Sequence, residues 1–221
     1  QNQQSILAKY LSTPPPLSER LDAIRSIINE KDLGRYVEDG GLFAERWEKR
    51  TAELERIHKA YQPYDEGEKA LQEGKPDRAL EKARRAIEMR ADQASFYCLK
   101  GDALQEMGKH EEAKGAYEKA LELDEDYVEA RVGLGQLNLQ RGNNEEAARY
   151  FQRALRGYPG SVAASWGLGQ ARFNLGQFGE ATEALEQVVS AAPRAAQPRY
   201  LLAACYERTG RPARAYRQYR E

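Results

Sequence analysis

The residues that come closest to metal or acid–base chemistry in this sequence are its two histidines, His58 and His110. Glu55 precedes His58 by three residues, so on a helix the two side chains would share one face. A catalytic zinc site needs three protein ligands and an open position for water, supplied in many enzymes through a HExxH motif. The sequence has no HExxH, no GxSxG and no GxxxxGK[ST] motif. We therefore expect no catalytic residue, no metal ligand and no cofactor in this chain.

The two cysteines, Cys98 and Cys205, are distant in sequence. In a rigid elongated fold their Cα atoms would lie well beyond the ~7 Å limit for a disulfide. We expect two inert, unbridged thiols on helices. So few cysteines suit an oxidising compartment as well as a reducing one, and they leave the compartment open.

These residues lie in a chain with a 34-residue repeat, which runs from Ala60 to the end of the sequence. Its markers are small residues in a first helix (Gly67, Gly101, Gly135, Gly169, Ala203), glycine breaks (Gly74, Gly108, Gly142, Gly176, Gly210) and small residues in a second helix (Ala79, Ala113, Ala147, Ala181, Ala215). Apolar residues at helical spacing flank each break, which predicts a helix hairpin. One hairpin cannot bury its own apolar face, so the hairpins must stack, with Tyr117, Phe151 and Leu185 filling the spaces beside the small residues.

These residues resemble tetratricopeptide repeats. The units are 60–93, 94–127, 128–161, 162–195 and a truncated 196–221. The resemblance implies an all-α fold, a right-handed α-solenoid of helix hairpins. The chain departs from the family pattern where a proline usually closes the repeat, because Ala91 and Glu125 stand there in the first two units.

The resemblance also implies a function, because the first helices of such repeats line a concave groove that binds proteins. The residues at the groove-facing positions are Tyr61, Tyr64, Glu68, Asp102, Gln105, Gln136, Leu139, Gln140, Trp166, Gln170, Phe173, Asn174, Tyr200 and Arg208. Aromatic side chains offer apolar pockets and amides pair with a peptide backbone, so we expect an extended polypeptide as the partner. Trp166 and Phe173 are the strongest anchors, unless one or both pack into a neighbouring repeat. The groove lacks the cations with which some family members clamp a terminal carboxylate.

The charge balance argues against nucleic acid and membrane partners. The chain has 34 basic and 35 acidic residues, and no apolar run of membrane-spanning length. Arg208 is the one cation in the predicted groove, which is too few for nucleic acid. Arginines recur every three residues on the final helix, at Arg211, Arg214, Arg217 and Arg220. They form either a basic patch for an acidic partner or, as we favour, a solvated outer face.

The first 59 residues do not follow the repeat. Helices are predicted over 2–11, from Ser18, and from about Leu42, and the last of these is expected to cap the first repeat. Pro63 either kinks one long helix or begins a new one.

A second resemblance lies in this segment. Tyr10-Leu11-Ser12-Thr13-Pro14-Pro15, followed by Glu19-Arg20-Leu21, is similar to the end of the catalytic domain in BepA-like zinc metallopeptidases, except that Pro14 replaces a histidine. The resemblance implies the recognition part of a periplasmic or cell-envelope protease that serves outer membrane protein quality control. Its zinc would lie in a missing upstream domain, against which residues 1–30 would pack. The abrupt start at Gln1, inside a predicted helix, favours this hypothesis. The alternative is a free-standing scaffold or adaptor, cytoplasmic and without a protease, so the enzymatic status of the whole protein stays open.

Overall fold

The computed structural model describes the backbone of residues 42–220 and the side chains from residue 49 onward. Within that range the chain is all-α, as predicted, with ten helices. They are α1 (Leu42–Gln72), α2 (Pro76–Met89), α3 (Ala94–Glu106), α4 (His110–Leu123), α5 (Val128–Gln140), α6 (Asn144–Gly157), α7 (Val162–Asn174), α8 (Phe178–Ala191), α9 (Ala196–Arg208) and α10 (Pro212–Arg220). The helices predicted over 2–11 and from Ser18 lie outside the described residues.

Helix α1 resolves the alternatives left open at Pro63. The helix continues through Pro63 without a break, so the first helix of the first repeat is the C-terminal part of a longer helix. The predicted boundary between residues 59 and 60 therefore falls inside α1. The described residues instead divide into two compact units, the first ending at Leu99 and the second beginning at Lys100.

Five glycines end the first helix of each hairpin in the same way. All five have positive φ angles, between 66° and 78°, where residues with a Cβ are strained. At the turn after α5, the Gly142 N–H donates to Leu139 O (3.1 Å) and the Asn143 N–H donates to Asn138 O (2.9 Å). This pair of bonds is the Schellman motif, which satisfies carbonyls that the helix end leaves unpaired. The turns at the other four glycines repeat it.

Within the second unit, aromatic rings from second helices lie between glycines of first helices. Tyr117 lies against Gly101 and Gly133, and Phe151 lies against Gly135 and Gly167, so both rings are fully buried. A Cβ built on Gly135 would lie only 2.7 Å from the Phe151 ring. The glycines thus leave the space that the rings occupy, as the repeat pattern predicted.

Where the second-helix residue at this interface is smaller than an aromatic ring, the first-helix residue that faces it is larger than glycine. Leu185 stands where Tyr117 and Phe151 stand in their repeats, and the residue 16 positions after it is Leu201 rather than a glycine. Leu201 packs against the buried cluster that contains Leu185. In the first unit, Ala83 takes the ring position, and Leu99 fills the space beside Gly67. Ring and facing residue therefore compensate for each other in volume.

Both cysteines are buried, and neither forms a disulfide. Burial raises the pKa of the Cys205 thiol to about 11, although a hydrogen bond with Thr182 partly opposes the shift. A neutral buried thiol behaves as a small apolar side chain. The structure thus gives Cys205 a packing role.

Candidate functional site

An open apolar cleft in the second unit lies between α7 and α9. Trp166 and Tyr200 supply aromatic surface, Gln170 and Gln197 supply amides, and the volume is about 390 Å³. We call it the Trp166–Tyr200 cleft. Its lining is completed by Ala196 and Leu201. The volume falls within the ~300–1,000 Å³ that is usual for ligand sites.

The repeat itself places the two aromatic side chains together. Tyr200 follows Trp166 by 34 residues, so both occupy the same place on consecutive first helices. Ser161 caps the N-terminus of α7, and its side chain accepts a hydrogen bond from the Ala164 N–H (3.2 Å). Gly167, directly after Trp166, lies against the Phe151 ring and lets α7 approach α6 closely.

Tyr200 is held in place yet exposed. Its ring lies 5.8 Å from the ring of Tyr219, measured between centroids, and the Tyr219 hydroxyl donates to Glu207 (3.2 Å). Tyr200 nevertheless keeps 65% of its surface accessible. A supported aromatic side chain loses little conformational entropy on binding, which suits it as an anchor.

Phe173 and Arg208, both predicted for the groove, instead contact Phe178 on α8. The Phe173 and Phe178 rings meet edge to face at 5.4 Å, and the Arg208 guanidinium lies 5.0 Å from the Phe178 centroid. Phe173 and Phe178 are both half-buried beside the core cluster around Leu185. Trp166 is half-buried against the same cluster, which includes residues of the next repeat, so the alternative of packing into a neighbouring repeat applies in part to both Trp166 and Phe173.

Three other predicted groove residues are brought together by a buried tyrosine. The Tyr117 hydroxyl donates to Asp102 (2.7 Å) and lies within hydrogen-bonding distance of Gln105 Oε1 (3.1 Å). The amide of Gln105 donates in turn to Gln136 (3.3 Å). These polar groups on α3 and α5 already bond one another, so a ligand there would have to exchange existing hydrogen bonds.

In the first unit, Tyr61 and Tyr64 surround the buried Phe96. Their ring centroids lie 4.8 and 5.4 Å from that of Phe96. The Tyr61 hydroxyl donates to Gln93 (2.9 Å), and the Tyr64 hydroxyl donates to Glu68 (2.7 Å). Both tyrosines are half-buried, so this set of predicted groove residues combines packing with a polar edge.

The remaining predicted groove residues are dispersed. Leu139 packs against the core cluster around Phe151, Gln140 is exposed, and Asn174 donates to Asn144 (3.0 Å). Sequence reasoning missed Gln197, although it occupies the place of Tyr61 four repeats later. The repeat pattern contained that signal. The part played by Leu201 depends on the packing against Leu185 and could not be seen in the spacing.

The histidines gather no metal-binding set. His58 Nε2 lies 3.3 Å from the Gln62 amide nitrogen, and His110 is exposed at the start of α4. In the part of the chain that the structure describes, no three histidine, cysteine or acidic residues are grouped as metal ligands. Over the same residues, no helix has the length and apolar character needed to cross a membrane.

Comparison with known families and structures identifies the repeats. Two tetratricopeptide-repeat family models match the chain, one over residues 64–104 and 98–162 and the other over 138–197 and 175–220. No curated protein sequence matches it.

Several solved structures share the fold at low sequence identity. MamA from Desulfovibrio magneticus is 20% identical, with a TM-score of 0.61 over 73% of this chain and 92% of that one. PilF from Pseudomonas aeruginosa is 19% identical, with a TM-score of 0.68 over 75% of each chain. YrrB, described as a TPR protein with an unusual peptide-binding site, is 21% identical, with a TM-score of 0.56 over 73% and 88%. Together with the repeat geometry, the matching models show that this chain belongs to the tetratricopeptide-repeat family.

Proposed function

We propose that this protein binds an extended polypeptide through the Trp166–Tyr200 cleft, as a scaffold for protein–protein interaction. The observation that carries the proposal is the open cleft itself, in which two aromatic side chains and two amides converge from consecutive repeats. The peptide-binding site for which YrrB is described lies on the same fold, which supports this use of it.

The cleft specifies the chemistry of its ligand. A large apolar or aromatic side chain would lie between Trp166 and Tyr200, where its burial is worth about 1.5–3 kcal/mol. Gln170 and Gln197 each offer a donor and an acceptor, which suits the N–H and C=O groups of an extended backbone. No charged side chain lines the cleft, so we expect the bound residue to be neutral.

The proposal is tested by selecting peptides from a random displayed library with the wild-type protein and with Trp166→Ala. We expect wild-type selection to enrich sequences with one shared aromatic or large aliphatic position, and Trp166→Ala to lose that enrichment. Tyr158→Ala serves as the matched control, because Tyr158 is an aromatic residue 59% exposed outside the cleft. Enrichment that survives Trp166→Ala unchanged would place the binding site elsewhere.

We further propose that the native protein is the recognition part of a cell-envelope zinc metallopeptidase, acting on polypeptides in the periplasm. The resemblance of residues 10–21 to that family supports this. The measurement is the intact mass and zinc content of the endogenous protein, captured by an antibody against this chain. A zinc-bearing species of roughly twice this length is expected, since an added domain has about 100–150 residues or more. A zinc-free species near 25.0 kDa would favour the free-standing adaptor.

A further inference from the structure

A second pocket in the second unit lies beside Ser165, where α7 begins and α8 ends. Its volume is about 340 Å³. Its walls come from the α6–α7 loop, the first turn of α7 and the C-terminal end of α8, and they include Pro159, Gly160, Val162, Ser165, Gln187 and Ser190. We call it the Ser165 pocket. It shares no lining residue with the Trp166–Tyr200 cleft, so it is a site of its own.

In the two repeats that flank this one, an arginine stands at the place of Ser165. Arg131 precedes it by 34 residues and Arg199 follows it by 34. Each arginine bonds to the loop before its own helix: the Arg131 guanidinium pairs with Asp126 (3.0 Å), and Arg199 Nε donates to the Pro193 carbonyl oxygen. Only 12% of the Arg131 side chain is exposed. A serine cannot reach the loop, so the space that an arginine fills in the flanking repeats stays open here.

The walls of the Ser165 pocket offer hydrogen-bond acceptors and no charged side chain. Pro159 stands where Pro193 stands one repeat later, so its carbonyl is the counterpart of the one that Arg199 uses. Gln187 Oε1 accepts a hydrogen bond from the Ser165 hydroxyl (2.9 Å) and keeps a second lone pair. Neutral acceptors suit a guanidinium, because this group is weakly hydrated and carries five donors in one plane.

Helix α8 differs from α6 in a way that favours a bound cation. Gln187 and Ser190 stand where α6 has Arg153 and Arg156, so two cations of the preceding repeat are replaced by neutral residues. The pocket also lies at the C-terminal end of α8, where a helix leaves carbonyl oxygens unpaired and its dipole is negative. The start of α7, with the opposite dipole, is already capped by the Ser161 side chain.

We propose that the Ser165 pocket binds an arginine side chain of a protein partner, in the place that Arg131 and Arg199 occupy in their own repeats. The guanidinium donates to the Pro159 carbonyl and to Gln187. An arginine residue is favoured over free arginine, because no charged side chain of the pocket could pair with the α-ammonium and α-carboxylate groups of the free amino acid. Gly160 stands where Asp126 stands one repeat earlier, so the site lacks that carboxylate and a single arginine binds weakly.

Two-dimensional NMR of the amide groups of the whole chain tests the proposal with N-acetyl-arginine-N-methylamide, which carries an arginine side chain without charged ends. We expect saturable shifts of the Ser165 backbone amide and the Gln187 side-chain amide, with a Kd on the order of 1–10 mM. The matching lysine and citrulline amides should bind at least about tenfold more weakly, because lysine lacks the planar fork of donors and citrulline is neutral.

Ser165→Arg is the decisive variant, because it restores the residue of the flanking repeats and fills the pocket from within. It should abolish saturable binding of the arginine amide. Ser165→Ala is the matched control: it leaves the pocket open and frees Gln187 Oε1, so it should bind within about twofold of the wild type. Tyr200→Ala, which opens the other cleft, should leave this binding unchanged even if the peptide proposed for that cleft does not bind.

A second pair of variants tests the charge of the wall without filling the pocket. Gln187 is exposed, so its substitution leaves the fold intact. Gln187→Lys should weaken binding of the arginine amide by about tenfold, and Gln187→Glu should strengthen it by about the same factor. Circular dichroism checks that every variant stays folded.

Arginine binding that survives Ser165→Arg would overturn the proposal, and so would equal affinity for the citrulline amide or shifts that never saturate. If Ser165→Arg does not fold, the Gln187 pair decides, because the same affinity in both variants would place the arginine elsewhere. Free arginine that binds more tightly than its amide would replace the protein partner by a small molecule.

Discussion

Gly167→Leu is expected to lower the free energy of unfolding by about 3 kcal/mol or more, because the added side chain must occupy the space of the Phe151 ring. Even a Cβ at Gly167 would already overlap that ring. Neither α6 nor α7 can move away freely, since α7 also contacts α5, α8 and α9. Thermal and urea unfolding, followed by circular dichroism, measure the loss.

Adding Phe151→Leu should recover much of this stability. The double variant places leucine on both sides of the interface, as Leu185 and Leu201 do one repeat later. Phe151→Leu alone should be destabilising, because it leaves a void beside two glycines. Gly179→Leu is the control for adding leucine at a helix glycine, and it should change stability little. A double variant no more stable than Gly167→Leu alone would contradict volume compensation at this interface.

The fold could be predicted because its determinants are local and periodic. Glycines and alanines at 34-residue intervals are constraints on backbone approach and turn geometry, and each acts within one hairpin or between neighbours. The positive φ angles of the five turn glycines are the direct outcome of that pattern. The helix through Pro63 was not determined in this way, because a proline at that point fits either a continued or a restarted helix.

Which side chains face the groove could not be predicted as well as the fold, because the direction of a side chain depends on the residues it contacts. Phe173 turns toward Phe178, a large apolar residue at the start of the second helix of its own hairpin. One repeat earlier the position of Phe178 is held by Asn144. This polar side chain offers no ring to pack against, and it accepts a hydrogen bond from Asn174. Helical position alone cannot tell a groove-facing ring from one that packs within the hairpin.

The tyrosine at position 117 contains information about its neighbours that the spacing of small residues does not. Its ring was predicted to fill a hole, and it does, yet a buried tyrosine hydroxyl needs a hydrogen-bonding partner, whereas Phe151 at the equivalent position does not. Asp102 and Gln105, on the first helix of the same repeat, take that part. The difference between tyrosine and phenylalanine at one repeat position could have assigned these two groove residues to the support of Tyr117.

Tyr200→Ala is expected to weaken binding of a selected peptide by at least about 30-fold, the effect of removing about 2 kcal/mol at an aromatic hot spot. Tyr200 is an exposed wall of the Trp166–Tyr200 cleft, so its loss opens the cleft without removing a buried side chain. Isothermal titration calorimetry with one peptide measures the dissociation constants of Tyr200→Ala, Trp166→Ala and the double variant. Tyr158→Ala should bind as the wild type does.

The double variant decides whether the two walls hold the same ligand group. If one side chain of the peptide lies between Trp166 and Tyr200, removing either wall already exposes it, so the two losses should not add. We expect the double variant to bind better than additivity predicts, by about 0.5–3 kcal/mol. Strictly additive losses would mean that the two rings contact separate parts of the peptide, and that the cleft is not the unit of recognition. A Tyr200→Ala variant with wild-type affinity would remove the α9 wall from the site and leave Trp166 as a packing residue of α7.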